Sequence, residues 1–132
     1  MIPNKKVLAD GQIRITAATT SQGAAQNKGT ATDLTLTVLY GPDAGTAVAG
    51  STVLSVEGSN VTATATSNWT AVTPDKGTMP TVTASGFTVV HLAQLQFQYY
   101  HLKYVAAGAS TADLEAVWDF YQIQDSFDDT VQ

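Results

Sequence analysis

The feature that most constrains this chain is apolar side chains recurring at every second position, in runs rich in Val, Thr and aromatics. Leu34, Leu36 and Val38 alternate with Thr35 and Thr37. Ile13, Ile15 and Ala17 alternate with Arg14 and Thr16. A two-residue period puts one set of side chains on one face of a strand, whereas an amphipathic helix needs a period near 3.6. β-Branched and aromatic residues suit a pleated, half-buried surface. Turn signals such as Gly41-Pro42-Asp43, Gly58-Ser59-Asn60 and Pro74-Asp75-Lys76-Gly77 separate the runs. No amphipathic helix of useful length and no long repeat stands out.

The pattern predicts an all-β chain, an antiparallel β-sandwich or jelly roll of about eight strands with long loops. Strands are expected over 12–17, 34–40, 52–57, 81–84 and 87–92, with a weak or edge strand at 61–66 and a short apolar patch at 69–72. Val7-Leu8 and the 12–17 strand flank an Ala9-Asp10-Gly11 break. The segment 19–32 has no large apolar residue and reads as a long loop. The run from Gln94 to Gln124 reads as a closing hairpin of two aromatic strands around a Gly-Ala-Ser-Thr-Ala turn. Leu95, Phe97 and Tyr99 share one phase, and Tyr100, Leu102 and Tyr104 take the opposite one. Such a flip within one strand predicts a β-bulge at Tyr99-Tyr100.

The 132 residues suit a single domain, 1–132, with an N-terminal arm at 1–10 and an acidic tail at 124–132. Charged residues are 13 % of the chain, against about 25 % in ordinary domains. A surface so short of charge suggests that part of it is covered by partners. The net charge of −5 accumulates late, because no Lys or Arg follows Lys103. A basic nucleic-acid-binding patch is therefore not expected. No run approaches the ~20 apolar residues of a membrane helix, and the N-terminal stretch does not read as a signal peptide.

Chemistry-bearing patterns are sparse. Without cysteine there is no disulfide, thiolate metal site or thiol nucleophile. His91 and His101 are expected half-exposed on strands, with no carboxylate at ligand spacing. Glu57 and Glu115 are the two glutamates, too few signals for a glycosidase pair. Asp125, Asp128 and Asp129 lack the glycine-centred loop of a calcium hand. No catalytic residue, metal ligand or cofactor site is expected. Trp69 and the tyrosines raise a sugar-stacking platform as an alternative, although strand aromatics are more often core or interface anchors.

The closing segment, with Tyr-His-Leu-Lys-Tyr-Val, a small-residue turn and Leu-Glu-Ala-Val-Trp, resembles the small head decoration, or cement, proteins of tailed bacteriophages. So do the Thr/Ala/Gly-rich segment before the first strong strand and the lack of an active-site motif. The resemblance implies a non-enzymatic virion protein on the capsid exterior, made in the host cytoplasm. It would bridge major capsid protein subunits and associate with itself, often as a homotrimer. A carbohydrate-binding module or an adhesin, tail-fibre-like protein is the alternative. On physical grounds the expected protein-contact residues are Ile2, Pro3, Tyr99, Tyr100, Tyr104 and Tyr121, all anticipated at the surface.

Overall fold

The computed structural model describes residues 2–41 and 47–123, with side chains described from Ile13 on. The acidic tail therefore lies outside the described residues, and so do the side chains of Ile2 and Pro3. Nine strands are described: β1 (Ile2–Ile15), β2 (Thr19–Gln22), β3 (Gln26–Asn27), β4 (Asp33–Tyr40), β5 (Ala49–Ser59), β6 (Thr70–Val72), β7 (Thr81–Val82), β8 (Gly86–Leu92) and β9 (Tyr99–Gln122). All pairings between them are antiparallel. The expected all-β antiparallel class is what the chain adopts, as a curled sheet.

The expected closing hairpin does not form. β9 is one continuous strand of 24 residues. It is paired on both sides, with β1, β2 and β3 along one flank and β4 and β5 along the other. Its first half lies between β2–β3 and β5, and its second half between β1 and β4. β8 extends the sheet beyond β4, and β6 and β7 extend it beyond β5.

The Gly-Ala-Ser-Thr stretch that reads as a turn is the corner where β9 passes from one half to the other. Gly108, Ala109 and Ser110 stand opposite the single Gly50 of β5. Two extra residues bend the strand without changing its parity, so even-numbered side chains point inward on both sides of the corner. Tyr100, Leu102 and Ala106 join Ala112, Leu114, Ala116, Trp118 and Phe120 in one core cluster with Leu34, Leu36, Val38, Leu54, Val56, Val90 and Leu92. Gly108 takes φ +55°, a conformation glycine adopts without strain. Ser110 seals the corner: its hydroxyl oxygen accepts the Ser51 N–H at 3.0 Å. Its proton lies between the carbonyls of Ser51, at 2.9 Å, and Ala107.

Four further expectations are corrected. No bulge occurs at Tyr99-Tyr100, where pairing with Ser59 and Gly58 runs in unbroken register. The phase flip arises because Leu95 and Phe97 precede the strand, in a segment turned by Gln94 at φ +53°. Phe97 folds back edge-on to Tyr100, with centroids 6.3 Å apart. The break at Ala9-Asp10-Gly11 is instead a bulge inside β1, with Asp10 and Gly11 opposite Ala116. The segment 19–32 is not a free loop over its first half. β2 and β3 align with β9 by backbone pairing, which needs no apolar side chain, and Gly23 N–H and Lys28 N–H add bonds to Leu102 and Gln98. Conversely, 61–66 forms no strand and is exposed.

Candidate interaction surfaces and buried polar clusters

Polar chemistry collects in three places, each built by strand register. On the outer face of the β5–β9 half, Glu57 lies directly opposite His101. His101 Nε2 is 2.8 Å from Glu57 Oε1, and Lys103 Nζ is 3.8 Å from Glu57 Oε2. Trp69 lies flat over the imidazole, with centroids 3.7 Å apart and planes 14° apart. The indole N–H donates to the Ala63 carbonyl at 2.7 Å, which ties the exposed 60–68 segment to the ring. His101 is thus buried, and the expectation of a half-exposed histidine without a carboxylate is corrected. The sequence hides this pair because 44 residues separate Glu57 from His101, and only strand register joins them.

On the outer face of the other half, the Thr35 hydroxyl and the Tyr121 hydroxyl each lie 3.1 Å from His91 Nδ1. The His91 backbone pairs with Lys76. At the β1–β9 boundary, Arg14 forms a two-pronged pair with the fully buried Asp113, at 3.1 and 3.3 Å. Each cluster ties neighbouring strands together through side chains that are largely engaged with one another. Among the described residues no group of three metal-ligating side chains converges.

A shallow cleft of about 160 Å³ lies between the 72–75 and 92–97 segments. Tyr100 forms part of its lining, and its hydroxyl oxygen accepts the Phe97 N–H at 3.0 Å. Burial raises the Tyr100 pKa above its ordinary value, against a smaller opposing effect of its backbone hydrogen bonds.

Of the tyrosines expected at the surface, Tyr100 and Tyr121 are buried, and that expectation is corrected. Tyr100 lies in the core on the inner face of β9, whereas Tyr121 lies on the outer face, where its ring and hydroxyl meet His91 and Thr35. Tyr99 and Tyr104 are half-buried, and Tyr104 packs against the core. Most of the exposed large apolar residues lie elsewhere, at odd-numbered strand positions, while Val61 and Ile123 are exposed outside the strands. Phe87 (67 % exposed), Val89 (45 %) and Leu39 (42 %) form one patch on β4 and β8. Phe87 is directly opposite Leu39, while Val89 is opposite Thr37, which is itself opposite Val117. Val53 and Val105 form a second patch, directly opposite each other on β5 and β9. Alternation marks these positions as outward-facing, but only the exposed areas show that nothing covers them.

No helix among the described residues is long and apolar enough to cross a membrane. No protein-family model matches the chain, and no curated protein is significantly similar to it.

Proposed function

We propose that this chain is a structural binding protein that coats a phage capsid from outside and stabilises it by bridging major capsid protein subunits. The observation that carries the reading is the apolar patch of Phe87, Val89 and Leu39 on a rigid sheet face. Contiguous exposed apolar side chains of this kind mark protein-contact surfaces. The low share of charged residues points the same way, because a contact surface with few charges loses little hydration when covered.

The mechanism is mass action. A protein that binds only the expanded shell stabilises that state, and many copies add their small contributions across a lattice. It requires no catalytic group or cofactor, and the buried clusters at His101 and Asp113 serve the fold. The sugar-binding alternative draws less support: Trp69 is buried with one ring face against His101, so that residue offers no open stacking platform.

The test is co-sedimentation of the purified chain with heads of the tailed phage whose genome carries its gene, before and after expansion. The chain is expected to pellet with expanded heads, and Phe87→Glu to weaken this at least about tenfold. Equal pelleting with both head forms, or with neither, contradicts the proposal.

A further inference from the structure

The cleft between the 72–75 and 92–97 segments has in its lining a buried phenol with a proton to give. Tyr100 is 1 % exposed. Its oxygen accepts the Phe97 N–H at 3.0 Å and a second backbone bond from Gln96. A phenol oxygen has two lone pairs and one proton, so these bonds engage its accepting side and leave the proton. Among the described residues no group is placed to accept that proton. Tyr100 keeps it at neutral pH, because burial raises its pKa above the ordinary 10.0. A buried donor without an acceptor is costly, which favours any acceptor that reaches it. Gln94, also in the lining, sits at φ +53°, the one non-glycine residue with positive φ among the described ones. Backbone strain of this kind collects at ligand-binding sites.

We propose that this cleft binds a small neutral ring that carries a carbonyl, with the ring against the apolar walls and the carbonyl oxygen accepting the Tyr100 proton. Size sets the first limit: about 160 Å³ is close to the ~150 Å³ cavity that takes up benzene. Val72, Leu92, Leu95 and Phe97 give the ring apolar surface to cover. The phenol then selects for an acceptor, since an ammonium group brings only donors and leaves the proton unmet. Asp75 selects against anions. Its carboxylate lines the same cleft, held by the Ala93 N–H at 2.6 Å, and repels a second negative charge. None of these residues belongs to the Phe87–Val89–Leu39 patch, so the site stands apart from the capsid reading.

The experiment is titration of the ¹⁵N-labelled chain with δ-valerolactam, a neutral six-membered ring with one carbonyl, up to about 50 mM. Saturable amide shifts confined to 72–75 and 92–97 are expected, with Kd on the order of 1 mM for so small a molecule. Tyr100→Phe is expected to weaken binding about tenfold. Ala93→Leu changes an exposed side chain in the lining, leaves the Tyr100 and Asp75 hydrogen bonds in place, and is expected to abolish binding by filling the cleft. Cyclohexanecarboxylate, an anion of the same ring size, is expected to leave the spectrum unchanged. Shifts that fail to saturate or that scatter over the surface overturn the proposal, because the cleft then holds water only. So does binding that is unchanged in Tyr100→Phe or in Ala93→Leu, or equal affinity for the carboxylate.

Discussion

Replacing Ser110 by Ala removes one oxygen from the corner of β9. Ser110 is fully buried, and its hydroxyl accepts the Ser51 N–H at 3.0 Å and lies 2.9 Å from the Ser51 carbonyl. Alanine fills almost the same volume, so packing changes little. What changes is that the Ser51 N–H loses its acceptor in a place water reaches poorly. Leaving a buried donor unsatisfied costs about 1–3 kcal/mol in all. The expected destabilisation is therefore about 1–3 kcal/mol, which for a domain of this size lowers Tm by roughly 4–12 °C. Urea unfolding followed by tryptophan fluorescence gives the free energy, and an unchanged slope shows that the unfolded state is not the cause. Thr111→Val is the internal control, since its hydroxyl donates to the Ala47 carbonyl at 2.8 Å in an exposed setting. It should cost less than about 0.5 kcal/mol. If Ser110→Ala costs no more than the control, the hydroxyl does not hold the corner and the account of β9 is wrong.

The Arg14–Asp113 pair should respond asymmetrically. Arg14→Ala leaves the fully buried Asp113 carboxylate without its cation and, because the Arg14 side chain is itself 56 % exposed and screened by water, should cost about 1.5–3 kcal/mol, with much of that recovered in the double variant with Asp113→Ala. Equal losses in the single and double variants would refute this in chemical denaturation. Tyr100 predicts an alkaline effect. Its pKa is raised in the folded state above the ordinary 10.0, so its contribution is complete below about pH 10 and is lost as pH rises through the folded value. Tyr100→Phe should flatten the fall of stability above pH 10, and an unaltered pH profile would count against the assignment. Trp69→Ala should cost about 3 kcal/mol through the lost ring burial and free the 60–68 segment. Faster amide exchange confined to that segment and to His101 is the expected signature, and exchange matching wild type there would show that the ring pins nothing.

Local patterning made the class of fold legible. Leu34, Leu36 and Val38 carry β4 unaided, because every second residue is large and apolar and the intervening ones are Thr. The continuity of β9 was not legible, because Gly108 and Ser110 have the composition of a turn. The register with Gly50 makes them a corner, and that register belongs to residues about sixty positions away. β2 and β3 left no trace, since they are held by main-chain bonds that any sequence can make. The apparent bulge at Tyr99-Tyr100 was a real change of phase with a different cause, a strand starting where a folded-back segment ends. Among the anticipated contact residues, aromatic character misled: Tyr100 was drawn into the core, Tyr121 was covered by its contacts with His91 and Thr35, and Phe87, Val89 and Leu39 were left exposed. Those positions follow from alternation, but their exposure depends on β8 standing outside β4 on the sheet path and on what packs beside it.

The central claim is that this chain works by covering a surface. It is tested most directly by the amount of chain that pellets with expanded phage heads compared with unexpanded ones, measured in parallel for wild type and Phe87→Glu. The account predicts saturable pelleting of wild type with expanded heads only, and its loss in the variant. Pelleting indifferent to expansion or untouched by Phe87→Glu would contradict it.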